Sequence, residues 1–96
     1  MKRIYISGPI EGQPNYVERF ANAEELLCSR GFEICNPVDA RKPCEGKNVA
    51  EACKKLLADC DAIFMLDGWG NSSISRFEFV YAVDHKMTVF FEGGKL

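Results

Sequence analysis

Glu78 is the residue of this chain best placed to do chemistry. It follows Asp67-Gly68-Trp69-Gly70-Asn71-Ser72-Ser73, a Gly-rich polar turn, and falls in the first turns of a helix. A carboxylate fixed at such a place acts as a nucleophile or stabilises positive charge that develops on a substrate. The amides of the helix N-terminus, with Ser72 and Ser73 beside them, suit an anion such as phosphate. A second turn, Ser7-Gly8-Pro9-Ile10, contains a glycine that lets a ligand approach the backbone. Against these stands a plainer reading. Ser75-Arg76-Phe77-Glu78 fits the S-x-x-E capping box, in which the glutamate only reaches back to its own helix.

The elements that must position these residues follow from apolar patterning. Lys2 to Ile6, Phe32 to Cys35, Asp61 to Leu66 and Met87 to Phe91 are short apolar or β-rich runs bounded by turn signals, as in strands buried on both faces of a parallel sheet. Between them, Tyr16, Phe20, Ala23 and Leu27 recur at helical spacing, with Asn15 and Glu18 as a cap signature and Gly31 as a stop. Val49, Cys53, Leu56, Leu57 and Cys60 mark a second helix, with Asn48 and Glu51 repeating the cap. A third runs from about Ser73 or Ser75 to His85, carrying Phe77, Val80, Tyr81 and Asp84 at helical spacing. The segment from Asn36-Pro37 through Lys47 is a long polar connection of a length that is usually functional or mobile.

This alternation predicts an α/β fold: one domain, a Rossmann/flavodoxin-like three-layer sandwich with a four-stranded parallel sheet and three main helices, the crossovers right-handed. With the first strand central, the strand order is 2-1-3-4. The switch point then lies between the first and third strands, where ligands bind in open α/β sheets. Both glycine-containing turns and Glu78 meet there.

Composition narrows the function. The 96 residues carry a net charge of −2, with 47% hydrophobic and 27% charged residues, which describes an ordinary globule. That balance argues against a nucleic-acid polymer as partner, since such binding needs clustered Lys and Arg. The apolar runs, such as Ala62 to Leu66, are too short to cross a bilayer, and no leader pattern precedes the first strand. The expectation is a cytoplasmic protein without a membrane partner. The five cysteines show no CxxC or Cys/His pair with zinc spacing, so no metal and no cofactor are expected. Cys28, Cys35, Cys53 and Cys60 sit in or beside apolar stretches and read as buried reduced thiols. Cys44 reads as exposed.

Ile4-Tyr5-Ile6-Ser7-Gly8-Pro9-Ile10, Asn36-Pro37, Cys60-Asp61-Ala62-Ile63, and Gly68-Trp69-x-x-Ser72 followed by Glu78 and Ala82 together resemble a small domain family common in phages and prophages. That family has no assigned function and belongs to the nucleoside 2-deoxyribosyltransferase-like superfamily. The likeness spans nearly the whole chain. In characterised relatives a glutamate attacks C1′ of a 2′-deoxyribonucleoside or its 5′-phosphate, and a second base or water then takes the sugar. The resemblance puts that nucleophile on Glu78, the tyrosine beside it on Tyr5, and the residue that helps place sugar or phosphate on Ser72. C1′ of a deoxyribose ionises readily toward an oxocarbenium ion, which a fixed carboxylate stabilises or captures. Relatives carry an aspartate that serves the leaving base eight residues ahead of the Asp61 position; here that position is Cys53. Ile74 and Ser75 stand where relatives have small residues, and Ile74 narrows the expected pocket.

The resulting expectation is a nucleoside or nucleotide N-glycosidic enzyme, transferase or hydrolase, with Glu78 and Tyr5 catalytic. Ser7, Gly8, Pro9, Ile10, Gly68, Trp69, Asn71, Ser72 and Ser73 are its substrate-binding residues. The ligand is a small-molecule nucleoside or nucleotide, and the protein a homodimer or higher homo-oligomer. The alternative is a catalytically inactive, ligand-sequestering nucleotide-binding module of phage type. Plainer readings stand beside several residues. Ser72 reads as an N-cap, Gly8-Pro9 as a tight turn, and Tyr5 as a core residue with a satisfied hydroxyl. Trp69 reads as a stacking platform, a subunit contact or a lid over the core. His85 reads as a surface or capping residue at a helix C-terminus, and the Arg41-Lys42 pair as a phosphate contact from the long loop.

Overall fold

The computed structural model describes residues 2–10, 12–36 and 49–94, and for residues 49–53 the backbone alone. Four strands and three helices alternate along it: β1 (Arg3–Ser7), α1 (Tyr16–Ser29), β2 (Glu33–Cys35), α2 (Val49–Ala58), β3 (Ala62–Met65), α3 (Ser73–Asp84) and β4 (Thr88–Phe91). A short 3₁₀ turn, Trp69–Asn71, leads into α3. The long connection with Arg41, Lys42 and Cys44, the Asn48 cap and the end of the tail lie outside the described residues, as does the Cys53 side chain.

The sheet has the order β2-β1-β3-β4, and every pairing is parallel. Its inner register sets Tyr5 against Ile63 and Ser7 against Met65. The inner strands β1 and β3 are covered on both faces. The edge strands β2 and β4, expected to be buried likewise, carry exposed positions because each has a neighbour on one side only. The alternation of side chains shows how the inner pair is covered. Ile4, Ile6, Ala62, Phe64 and Leu66 pack with Phe20, Ala23 and Leu27 of α1. Tyr5, Ile63 and Met65 point the other way and pack with Leu57 of α2 and Ala82 of α3. Phe20, Leu27, Leu57, Ile4, Ile6, Ile63, Phe64 and Leu66 are each at most 1% exposed. Each such side chain contributes roughly 1.5–3 kcal/mol relative to exposure.

Two helix ends are Schellman motifs. After α1 the Phe32 N–H donates to Leu27 O at 3.2 Å and Gly31 N–H to Cys28 O at 3.0 Å, with Gly31 at φ +88°. After α3 the Met87 N–H donates to Ala82 O at 2.9 Å and Lys86 N–H to Val83 O at 3.1 Å. There the left-handed position falls on Lys86, φ +58°, a residue with a Cβ penalty at that angle.

The cap expected at Asn15 is not made by its side chain. Asn15 occupies the cap position with φ −101° and ψ 19° and no side-chain capping bond. A working N-cap needs extended backbone, whereas Tyr16 N–H here closes a turn onto Gln13 O at 3.2 Å, which holds Asn15 out of that region. Cys28, expected to be buried, is exposed; it lies beside Leu27 on the side of α1 turned from the sheet. Cys35 and Cys60 are buried.

Candidate active site between the first strand and the third helix

The site starts from the period of a strand. Tyr5 and Ser7 are two residues apart on β1, so both side chains leave the same face of the sheet. Both backbones are fixed by the central pairings, and Leu66 N–H donates to Ser7 O at 2.8 Å. The helix lying over that face contributes its buried stripe. Ser75, Glu78 and Ala82 are the buried residues of α3, spaced by three and four as one helical face requires.

Glu78 therefore points at β1, and its carboxylate meets both hydroxyls. The Tyr5 phenol donates to Glu78 Oε2, and the Ser7 hydroxyl donates to Oε1 at 2.7 Å. Tyr5, Ser7 and Glu78 are 0%, 1% and 3% exposed. Burying a polar group is costly unless it is hydrogen-bonded, and these two donors from one strand face each engage one of the carboxyl oxygens.

The capping box read from Ser75-Arg76-Phe77-Glu78 does not form. The helix begins earlier, with Ser72 as N-cap in extended backbone, φ −111° and ψ 121°, its side chain accepting from Ser75 N–H at 3.2 Å. Ser75 N–H, the amide that the Glu78 side chain would take in such a box, is thus already bonded, and Glu78 lies more than a full turn into α3, facing the sheet. Ser75 Oγ is buried without a hydrogen-bond partner among the described residues.

A cavity of about 230 Å³ opens in front of the carboxylate. It brings together Tyr5, Ser7, Gly8, Pro9, Ile10, Asn71, Ser72, Ser73 and Glu78 from the turn after β1 and the start of α3. Gln13, Phe20, Ile74 and Arg76 also line it; of these, the motif pattern marks only Ile74 as a pocket residue. Arg76 lies one helical turn beyond Ser72, and its Nη1 donates to Gly70 O at 3.4 Å. A cation one turn after the cap serine was the available signal for it. Among the described residues no cluster of His, Cys, Asp and Glu has a metal-binding arrangement.

Gly68 and Trp69 are not among the residues lining that cavity. Trp69 turns toward β4, stacking on Phe79 with ring centroids 4.7 Å apart and lying 6.3 Å from Phe91. Gly68 is left-handed, φ +86°, and makes the reversal from β3 into the 3₁₀ turn. The reversal is clamped from behind. Arg19 Nη2 donates to Asp67 O at 2.9 Å and to Glu92 Oε1 at 3.2 Å, while Asp67 N–H donates to the same Glu92 oxygen at 2.9 Å. Gly8 is needed for close packing, since a Cβ there would stand 2.8 Å from Leu66 Cβ and Cδ1.

The remaining perturbed groups lie away from the cavity. A hydrogen bond from Cys60 lowers the Cys35 thiol to about 7, with burial opposing this and Arg3 assisting; the same bond, with burial, pushes Cys60 up. The Cys60 thiol has a single proton, and its Sγ also lies 3.4 Å from Leu56 O. Donation to that carbonyl competes with donation to Cys35, so the lowering of Cys35 holds when the proton faces it. His85, expected at the surface or in a cap, sits at the C-cap of α3 with Nδ1 2.9 Å from Tyr81 O.

A family model described as "Domain of unknown function (DUF4406)" matches residues 2–91. No curated protein matches the chain.

Proposed function

The chain belongs to that family of domains of unknown function, and from this premise we propose that it cleaves the N-glycosidic bond of a deoxyribonucleoside or its 5′-monophosphate, with Glu78 as nucleophile. One observation carries the reading. Glu78 is buried at a cavity wall, bonded by hydroxyls of a neighbouring strand, and does not cap its own helix. A structural capping role is thereby removed, and a positioned carboxylate facing a cavity remains. The motif likeness to the nucleoside 2-deoxyribosyltransferase-like superfamily supports the same assignment.

The chemistry runs in two displacements. A Glu78 oxygen forms a bond to C1′ as the C1′–N bond breaks; the electron pair leaves with the base, which takes a proton from water. Water or the nitrogen of a second base then attacks C1′, the ester bond to Glu78 breaks, and the carboxylate is restored as the attacking group loses its proton. Tyr5 orients the carboxylate. Ser72, Ser73 and Arg76 line the cavity, and a 5′-phosphate would be held there by the hydroxyls and first amides of α3, with Arg76 as the cation.

Exposed apolar side chains along α3, Phe77, Val80 and Val83, support a homo-oligomer, since apolar patches of this kind mark association surfaces. Among the described residues no helix is long and apolar enough to cross a membrane.

Incubation with deoxynucleosides and their 5′-monophosphates, with and without an acceptor base, tests the reading by free base released. Release from at least one of them is the expected result. Absence of release from every one contradicts it, and tight binding without release assigns the cavity to a ligand-sequestering module.

A further inference from the structure

Resting on the nucleophile assignment above, we propose that Ser7 is a positioning residue for Glu78, fixing the plane of its carboxylate. The last torsion of a glutamate side chain is broad and two-fold, so packing alone leaves the carboxylate plane loosely set. A single donor pins one oxygen and lets the other swing. Here the oxygens are taken separately: Oε2 accepts from Tyr5 and Oε1 from Ser7 at 2.7 Å. The two donors stand on one face of β1, two residues apart, and the glutamate descends between them from α3.

The Ser7 hydroxyl is itself held. Its residue is 1% exposed, its carbonyl accepts from Leu66 N–H, and its Cα is registered with Met65 across the sheet. A donor on a central strand keeps its place when a loop-borne group would drift. Ser7 thus acts through Glu78, with its hydroxyl already committed to that carboxylate before a ligand arrives.

The test compares wild type with Ser7→Ala and Ser7→Thr, by steady-state kinetics of base release and by crystal structures of the ligand-free proteins. Ser7→Ala is expected to lower kcat about ten- to a hundredfold, from loss of one hydrogen bond to a charged group, with KM unchanged because the substrate keeps its own contacts. Ser7→Thr, which keeps the hydroxyl, is expected to recover most of the rate. The Ser7→Ala crystal structure is expected to show the Glu78 carboxylate turned or in more than one orientation. Wild-type kcat in a folded Ser7→Ala protein, or a folded Ser7→Thr protein no better than Ser7→Ala, overturns the role of Ser7 and leaves the nucleophile assignment intact. No release by wild type overturns the nucleophile assignment. The crystal structures still decide whether Ser7 sets the carboxylate, and an unmoved carboxylate in Ser7→Ala overturns that too.

Discussion

The phenol of Tyr5 on β1 donates to the carboxylate of Glu78 on α3, joining residues 73 positions apart. That contact links the centre of the sheet to the helix whose N-terminus faces the cavity. On the proposed function, it gives Tyr5 two separable duties, in stability and in chemistry. Tyr5→Phe keeps the ring and removes the donor, which leaves a buried charged acceptor with less compensation. Urea unfolding is expected to show a loss of about 1.5–3 kcal/mol at unchanged slope, and base release is expected to fall. Glu78→Gln is expected to reduce release by roughly a thousandfold or more, as removal of a covalent nucleophile does.

Gly8→Ala places a Cβ 2.8 Å from the Leu66 side chain, which sits in the apolar layer under α1. Something must shift, and the turn that lines the cavity shifts with it. Overpacking of this kind costs about 1–3 kcal/mol, and thermal unfolding should fall by several degrees. Leu66→Ala in the same protein should not restore full stability, because it removes a fully buried side chain.

Lys86→Gly is expected to stabilise. Lys86 holds φ +58° at the left-handed position of a Schellman motif, and glycine adopts that angle without a Cβ penalty. A gain of about 0.5–1 kcal/mol is expected, which for a domain of this size is roughly 4–8 °C per kcal/mol in melting temperature. Differential scanning calorimetry reads it directly. A lower melting temperature would show that the Lys86 side chain makes a contribution larger than its backbone cost.

Stability should also depend on pH above neutrality through the buried thiol pair. With the Cys60 thiol proton turned to it, Cys35 is lowered from 9.0 to about 7, so between those values the unfolded chain holds more protons than the folded one, and stability rises with pH. Cys60 is pushed up, so above about 9 its unfolded form ionises first and stability falls again. Urea melts across this range are expected to show a maximum near the upper end of the window. The rise should vanish in Cys35→Ala and in Cys60→Ala, and a rise that survives in either variant would contradict the assignment.

Much of this architecture can be read from the chain because its strands are unbroken apolar runs such as Ala62-Ile63-Phe64-Met65, bounded by turns. The alternation with helical patterns then leaves few topologies, and the order β2-β1-β3-β4 follows. The pairing of Tyr5 with Glu78 was within reach once both were placed at the switch point. The partner of the Ser7 hydroxyl was not, because strand period says which face a side chain takes but not what stands opposite. Trp69 was harder still. A residue in a tight turn has no period to fix its direction, and contact with Phe79 and Phe91 turns it from the cavity. The start of α3 was open between two serines for a related reason: Ser72 and Ser75 both satisfy the cap composition, and the backbone angles select Ser72.

The most direct test is peptide mass mapping of the protein quenched during incubation with a 2′-fluorinated deoxynucleoside or its 5′-monophosphate, an analogue that slows release of the sugar from a glycosylated carboxylate. The expected result is a sugar adduct on the peptide that contains Glu78, absent from the Glu78→Gln protein. Base release without an adduct there, or an adduct on another residue, would contradict Glu78 as the nucleophile.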